Sequence, residues 1–150
     1  MTKLRKGVKR LKQGIAVLVL MSVLSVWLGP PLMSALKHGP SDHDLIAKAY
    51  DSRTSTIMVE TEARVVLLLP DIDDLGKFQE FKIELENGHV LRVLHDLEQA
   101  DRVPVAVSKR IRLRGEYDWS VDGGVIHWTH DDPAGQREGG WIEYQERTYF

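Results

Sequence analysis

The run His127-Trp128-Thr129-His130-Asp131-Asp132 brings two imidazoles and two carboxylates within six residues. Together such groups can hold a borderline divalent metal, or act as a general base with the group that orients it. In a regular strand His127 and His130 point to opposite faces. A metal shared by His127, His130 and Asp131 therefore needs the strand to break at Thr129 or His130, which Asp132-Pro133 favours. For proton transfer the candidates are His127, His130 and Asp132. The plainer alternative packs His127 beside Trp128 and Trp119 and uses the aspartates to cap the following turn.

A second set lies upstream. Arg110, Arg112 and Arg114 alternate along one strand face and, with Tyr117, Trp119 and Trp128, suit an anionic glycan or a single-stranded nucleic acid through charge and stacking. Against this, Glu60, Glu62, Glu84 and Glu86 offer cross-strand partners that would make the arginines an ordinary solvated face. Asp71, Asp73 and Asp74 share a loop but lack the glycine and terminal glutamate offsets of an EF-hand. Cysteine is absent, which removes disulfides and thiolate chemistry. There is no nucleophile elbow, Walker loop or dinucleotide fingerprint. The sequence predicts no cofactor, and the one such group its histidines and aspartates could hold is a divalent metal.

Positioning these side chains takes strands. From Ile57 to Leu69 the period is two: Ile57, Val59, Ala63, Val65, Leu67 and Leu69 face one way, Glu60, Glu62 and Arg64 the other. A strand of this length bends across a small barrel. Phe81, Ile83 and Leu85 alternate next, and Asn87-Gly88 predicts a type I′ hairpin turn before a return strand from His89 to His95. Residues 96–106 lose the alternation, with Leu97 and Ala100 in one helical turn. The run from Arg110 to Trp119 reverses at Val121 to Gly124 and returns from Val125 to His130. Trp141 to Tyr144 and Thr148 to Phe150 predict a closing hairpin. Five principal strands, the first of them long, give a mainly β fold: a small OB-like five-stranded barrel over residues 57–150. Before it, in a linker segment 37–56, Ser41 or Asp42 starts a helix of about ten residues.

Charge is distributed unevenly. Residues 1–40 hold seven of the 20 Lys and Arg and none of the 22 acids, so residues 41–150 carry a net −9. That balance disfavours a nonspecific polyanion binder. The basic segment 1–13 precedes 23 uncharged residues from Gly14 to Leu36. As a helix these would span about 34 Å, enough for a hydrocarbon core of about 30 Å. Gly29-Pro30-Pro31 shortens the apolar run towards that of a signal peptide, yet cleavage after Ala35 or Gly29 would leave Met33 or Trp27 where the peptidase wants a small residue. The expectation is an uncleaved signal anchor with its basic end in the cytoplasm. Secretion after cleavage is the alternative.

The words GEYDWSVDGGVIHWTHDDP, VETEARVVLLLPDIDD and LHDLEQADRVP resemble the uncharacterised bacterial family domain of unknown function 3465, over roughly Ile46 to Ile142. The resemblance implies small secreted or membrane-attached proteins with a compact barrel, and brings no activity with it. In the family a histidine usually stands where this chain has Asp131, and another near Gln136 to Glu138, so the cluster is thinner here. The preferred reading is a noncatalytic binding or assembly module: a single-pass bacterial inner-membrane protein whose barrel faces the periplasm and meets an envelope protein or glycan through the Gly115 to Trp141 surface. Nucleic acid is disfavoured by the acidic exported part. The alternative is a metal-assisted hydrolase, phosphodiesterase- or nuclease-like, built on His127, His130, Asp131 and Asp132. Convergence of those four side chains on one open position separates the two. A purely structural envelope protein would instead show a continuous apolar patch.

Overall fold

Strand β1 (Ile57–Leu68) serves two partners and so closes the sheet. It pairs antiparallel with β4 (Arg110–Asp118), from Ile57 opposite Tyr117 to Arg64 opposite Arg110, and from Arg64 onward with β2 (Phe78–Glu84). Strand β2 pairs with β3 (Val90–Asp96), β3 runs parallel to β5 (Val125–His127), and β5 returns antiparallel to β4. The ring β1-β2-β3-β5-β4 is thus a closed five-stranded barrel. The computed structural model describes residues 41–74 and 76–150. The expected membrane span at residues 14–36 and the basic segment before it lie outside the described residues. Among the described residues no helix is long and apolar enough to cross a membrane.

Alternation puts Val59, Val65, Phe81, Ile83, Leu91 and Leu113 wholly or almost wholly out of solvent. The pattern fails near the end of β1. Between Val65 and Leu67 the register slips by one residue, which turns the following side chains over. Leu67, expected inside, is thereby turned out beside Lys82 and is 46% exposed, while Leu68, opposite Phe81, is 47% exposed because the strand ends there. The β2–β3 turn also differs from expectation. Only Gly88 has positive φ, the Gly88 N–H donates to the Leu85 carbonyl at 3.0 Å, and the Leu85 N–H donates to His89 at 2.9 Å. This is a three-residue loop with a glycine bulge in place of the two-residue type I′ turn.

Helix α1 (His43–Ser52) begins and ends close to where the acidic first turn predicts. Its N-cap carboxylate does not cap the helix. Asp42 Oδ2 instead accepts the Glu60 N–H at 2.8 Å, and Ser41 Oγ accepts that of Glu62 at 3.1 Å, so the helix start is bonded to β1. Ile46 and Ala49 then enter the core, where a fully buried Ile contributes about 2 kcal/mol by transfer from water. The segment between β3 and β4 makes one turn, with the Ala100 N–H on the Asp96 carbonyl at 3.0 Å. Buried Gln79 holds it further on, donating to the Val103 carbonyl at 2.7 Å and accepting the Val103 N–H at 3.0 Å.

Strands β6 (Trp141–Tyr144) and β7 (Arg147–Tyr149) form the closing hairpin, and β6 bonds to the part of β4 that β5 leaves free. Of the strands among the described residues, β7 alone has a single neighbour. Tyr117 points into the barrel, fully buried, and its hydroxyl is without a hydrogen-bond partner. Burial raises its phenol pKa. Tyr117→Phe removes an unsatisfied polar group, so it should leave stability unchanged or raise it by about 1 kcal/mol in urea denaturation. A clear loss would mean that the hydroxyl is bonded.

Candidate functional site

The β4–β5 ladder places Glu116 opposite His127 and Asp118 opposite Val125. With Tyr117 and Ile126 inward, Glu116, Asp118 and His127 share the outer face. His127 Nε2 lies 2.9 Å from Asp118 Oδ2 and 3.7 Å from Glu116 Oε1. One donor atom from each of the three falls within 4.8 Å of the others. The second oxygens are also held. Asp118 Oδ1 accepts the Thr56 N–H at 2.9 Å, and Glu116 Oε2 pairs with the guanidinium of Arg137, which stands 4.2 Å over the Trp128 ring.

After His127 the strand stops, because Trp128 takes φ 54°, outside the range a strand tolerates. The break expected at Thr129 or His130 therefore comes earlier, at Trp128. It does not gather the four expected residues on one point. His130 is buried and tilts against Trp128, ring centres 4.5 Å apart, with its Nδ1 proton donated to the Asp131 carbonyl at 2.7 Å. Asp132 caps the next turn: it accepts the N–H groups of Arg137 and Gln136 at 2.7 Å each and of Ala134 at 3.1 Å. These bonds, that of Arg137 foremost, hold its carboxyl below the ordinary range. Asp131 accepts the Asp132 N–H at 3.2 Å. What His127, His130, Asp131 and Asp132 do share is the wall of a cavity of about 350 Å³, with Phe78, Asp96 and Trp128 among its other lining residues.

Sequence reasoning missed His95. It is fully buried beneath Thr129, with Nε2 donating to the Asp101 carbonyl at 3.0 Å and Nδ1 accepting from the Thr129 hydroxyl at 2.8 Å. Burial lowers its pKa. Nothing near it in sequence announces a partner 34 residues away. Glu116 and Asp118 were also missed, although the alternation in β4 and the glycine turn contain their register with His127.

The arginines are outward and paired. Arg110 meets Glu62 at 3.6 Å, Arg112 donates to Glu60 at 2.9 Å through Nε, and Arg114 pairs with Glu138. The exposed Arg110 pair adds at most about 1 kcal/mol, and the three pairs together cancel the basic stripe. Tyr117 lies on the opposite face from them, and Trp119 is partly buried at the core edge under Arg53, 5.3 Å from its ring. Only Trp128 of the expected aromatics borders the cavity. Asp71 pairs with Arg102, and Asp73 and Asp74 belong to no cluster of metal-binding donors among the described residues.

A family model described as "Protein of unknown function (DUF3465)" matches residues 31–150, covering the whole barrel together with the β4–β5 ladder and the segment behind it. No curated protein matches the chain. The chain belongs to this family, the proteins of unknown function DUF3465.

Proposed function

We propose that this protein is a noncatalytic binding or assembly module, an OB-like barrel anchored in the bacterial inner membrane and facing the periplasm, which meets its partner through the Gly115 to Trp141 surface. The observation that carries the reading is the divergence of the four expected side chains, each with a hydrogen bond of its own and none aimed at a common point, around a cavity with the aromatic and acidic walls of a recognition site. The strand order, with β1 closing on β4 and β3 parallel to β5, supports an OB-type connectivity, in which the faces and loops around strands two and three receive ligands. Phe78 of β2 and Asp96 of β3 are on that side. Asp96, Asp131 and Asp132 suit a partner offering cations or hydrogen-bond donors, and the paired arginines disfavour nucleic acid. An envelope protein fits better than a polyanion. The apolar, uncharged run at 14–36 supports the anchor.

A photo-crosslinking side chain at position 137 tests this in cells, with one at position 82, on the outer face of β2, as the control. Adducts specific to position 137 that sediment with the membrane fraction are the expected result. Equal adducts from both positions, or a chain found only in the soluble secreted fraction, would sink the proposal.

A further inference from the structure

We infer that Glu116, Asp118 and His127 form a divalent-metal site on the outer face of the β4–β5 ladder, of a chemistry that suits zinc. This is a different donor set from His127, His130 and Asp131, of which only His127 is retained, and it does not rest on the binding-module reading.

Three properties support it. The first is size. Zinc bonds to imidazole nitrogen and carboxylate oxygen are about 2.0–2.1 Å long, so two tetrahedral ligands stand about 3.3 Å apart. The separations of His127 Nε2 from Asp118 Oδ2 and Glu116 Oε1, 2.9 and 3.7 Å, bracket that value. The second is orientation from outside the triad. Each carboxylate turns one oxygen towards His127 and has the other fixed, that of Asp118 by the Thr56 N–H and that of Glu116 by Arg137. Outer contacts of this kind set the geometry of metal ligands. The third is access combined with rigidity. All three residues belong to paired strands, the Glu116 side chain is only 10% exposed, and those of His127 and Asp118 are 32% and 41% exposed. Remaining coordination positions are thereby open to water or to a donor from a partner.

One imidazole with two carboxylates selects among ions. Calcium and magnesium take oxygen ligands, whereas imidazole suits zinc and its first-row neighbours.

The test uses the full chain in detergent, titrated with zinc chloride and separately with calcium chloride. Zinc should bind with one ion per chain and move the imidazole NMR signals of His127 while those of His43 stay put, and calcium should do neither. Asp118→Asn and Glu116→Gln preserve shape, and each should weaken zinc binding by about tenfold or more. The double variant should lose it. No zinc binding by the unmodified chain, signals that move at His130 and not at His127, or undiminished binding in the double variant would each overturn the assignment. The NMR titration needs no variant, so a folding defect in a variant leaves it decisive. Failure here would leave the crosslinking result untouched.

Discussion

Gly115→Ala should cost about 3 kcal/mol of stability, at the upper end of what overpacking inflicts, or prevent folding altogether. Gly115 sits where β4 exchanges one neighbour for another: Arg114 is opposite Trp141 of β6, and Glu116 is opposite His127 of β5. A Cβ at this position would lie 2.4 Å from the His127 carbonyl oxygen, 2.8 Å from Ile126 Cγ2 and 2.9 Å from Thr129 Cγ2. The first of these is backbone held in the ladder, so no rotamer change relieves it. Gly88→Ala provides the comparison. It meets no atom within 4 Å and its cost is that of positive φ alone, about 1 kcal/mol. Urea denaturation of both variants checks the contrast. Equal losses would mean that β4 and β5 approach less closely than described. Because the same approach sets Glu116 against His127, a folded Gly115→Ala chain should also bind zinc more weakly.

Acid should weaken the fold through His95. Burial, the largest influence, and the neighbouring His130 and Arg102 lower its folded pKa, and only in part do the Asp101 carbonyl and Asp96 raise it. In the unfolded chain the imidazole titrates near its ordinary value of about 6.5. Above that value both states are neutral and His95 adds no pH dependence. As pH falls through it, the unfolded chain takes up a proton that the folded chain refuses. Stability is then lost at up to about 1.4 kcal/mol per pH unit, until the lower folded value is reached. The hydrogen bonds explain the refusal: Nε2 already carries its proton towards Asp101, and a proton on Nδ1 would displace the bond from Thr129. Urea midpoints between about pH 8 and pH 5.5 should fall with acid in the unmodified chain and fall less in His95→Asn. A flat profile in the unmodified chain would refute this account.

Much of the barrel was legible because its strands carry local signals. The alternation from Ile57 to Val65, the loop at Asn87-Gly88 and the reversal at Gly123-Gly124 each lie within a few residues of the structure they produce. Leu67 was misread because a register slip leaves no mark on a pattern of apolar residues. Trp128 was read as strand because aromatic residues favour strands, and its positive φ comes from tertiary packing, with Arg137 on its ring and its indole N–H on the Glu138 carbonyl. The strand does break there, as a shared site would require, but His130 and Asp132 turn to backbone bonds of their own and the run does not become a single site. The run is adjacent in sequence, but chemistry needs adjacency across strands, and Glu116 and Asp118 have it. His95 was out of reach for the same reason, since its two partners come from separate segments, Asp101 before β4 and Thr129 after β5.

Closing β1 against β4 has a consequence for how these molecules treat one another. A sheet with free margins can recruit a neighbouring copy strand by strand, the route to fibres and swapped dimers. Here the margin presented by the strands of the described residues is β7, three residues long, with Arg147 stacked 4.7 Å over Tyr149. So short and charged a margin is a poor template, and crowding alone should not drive these barrels to polymerise.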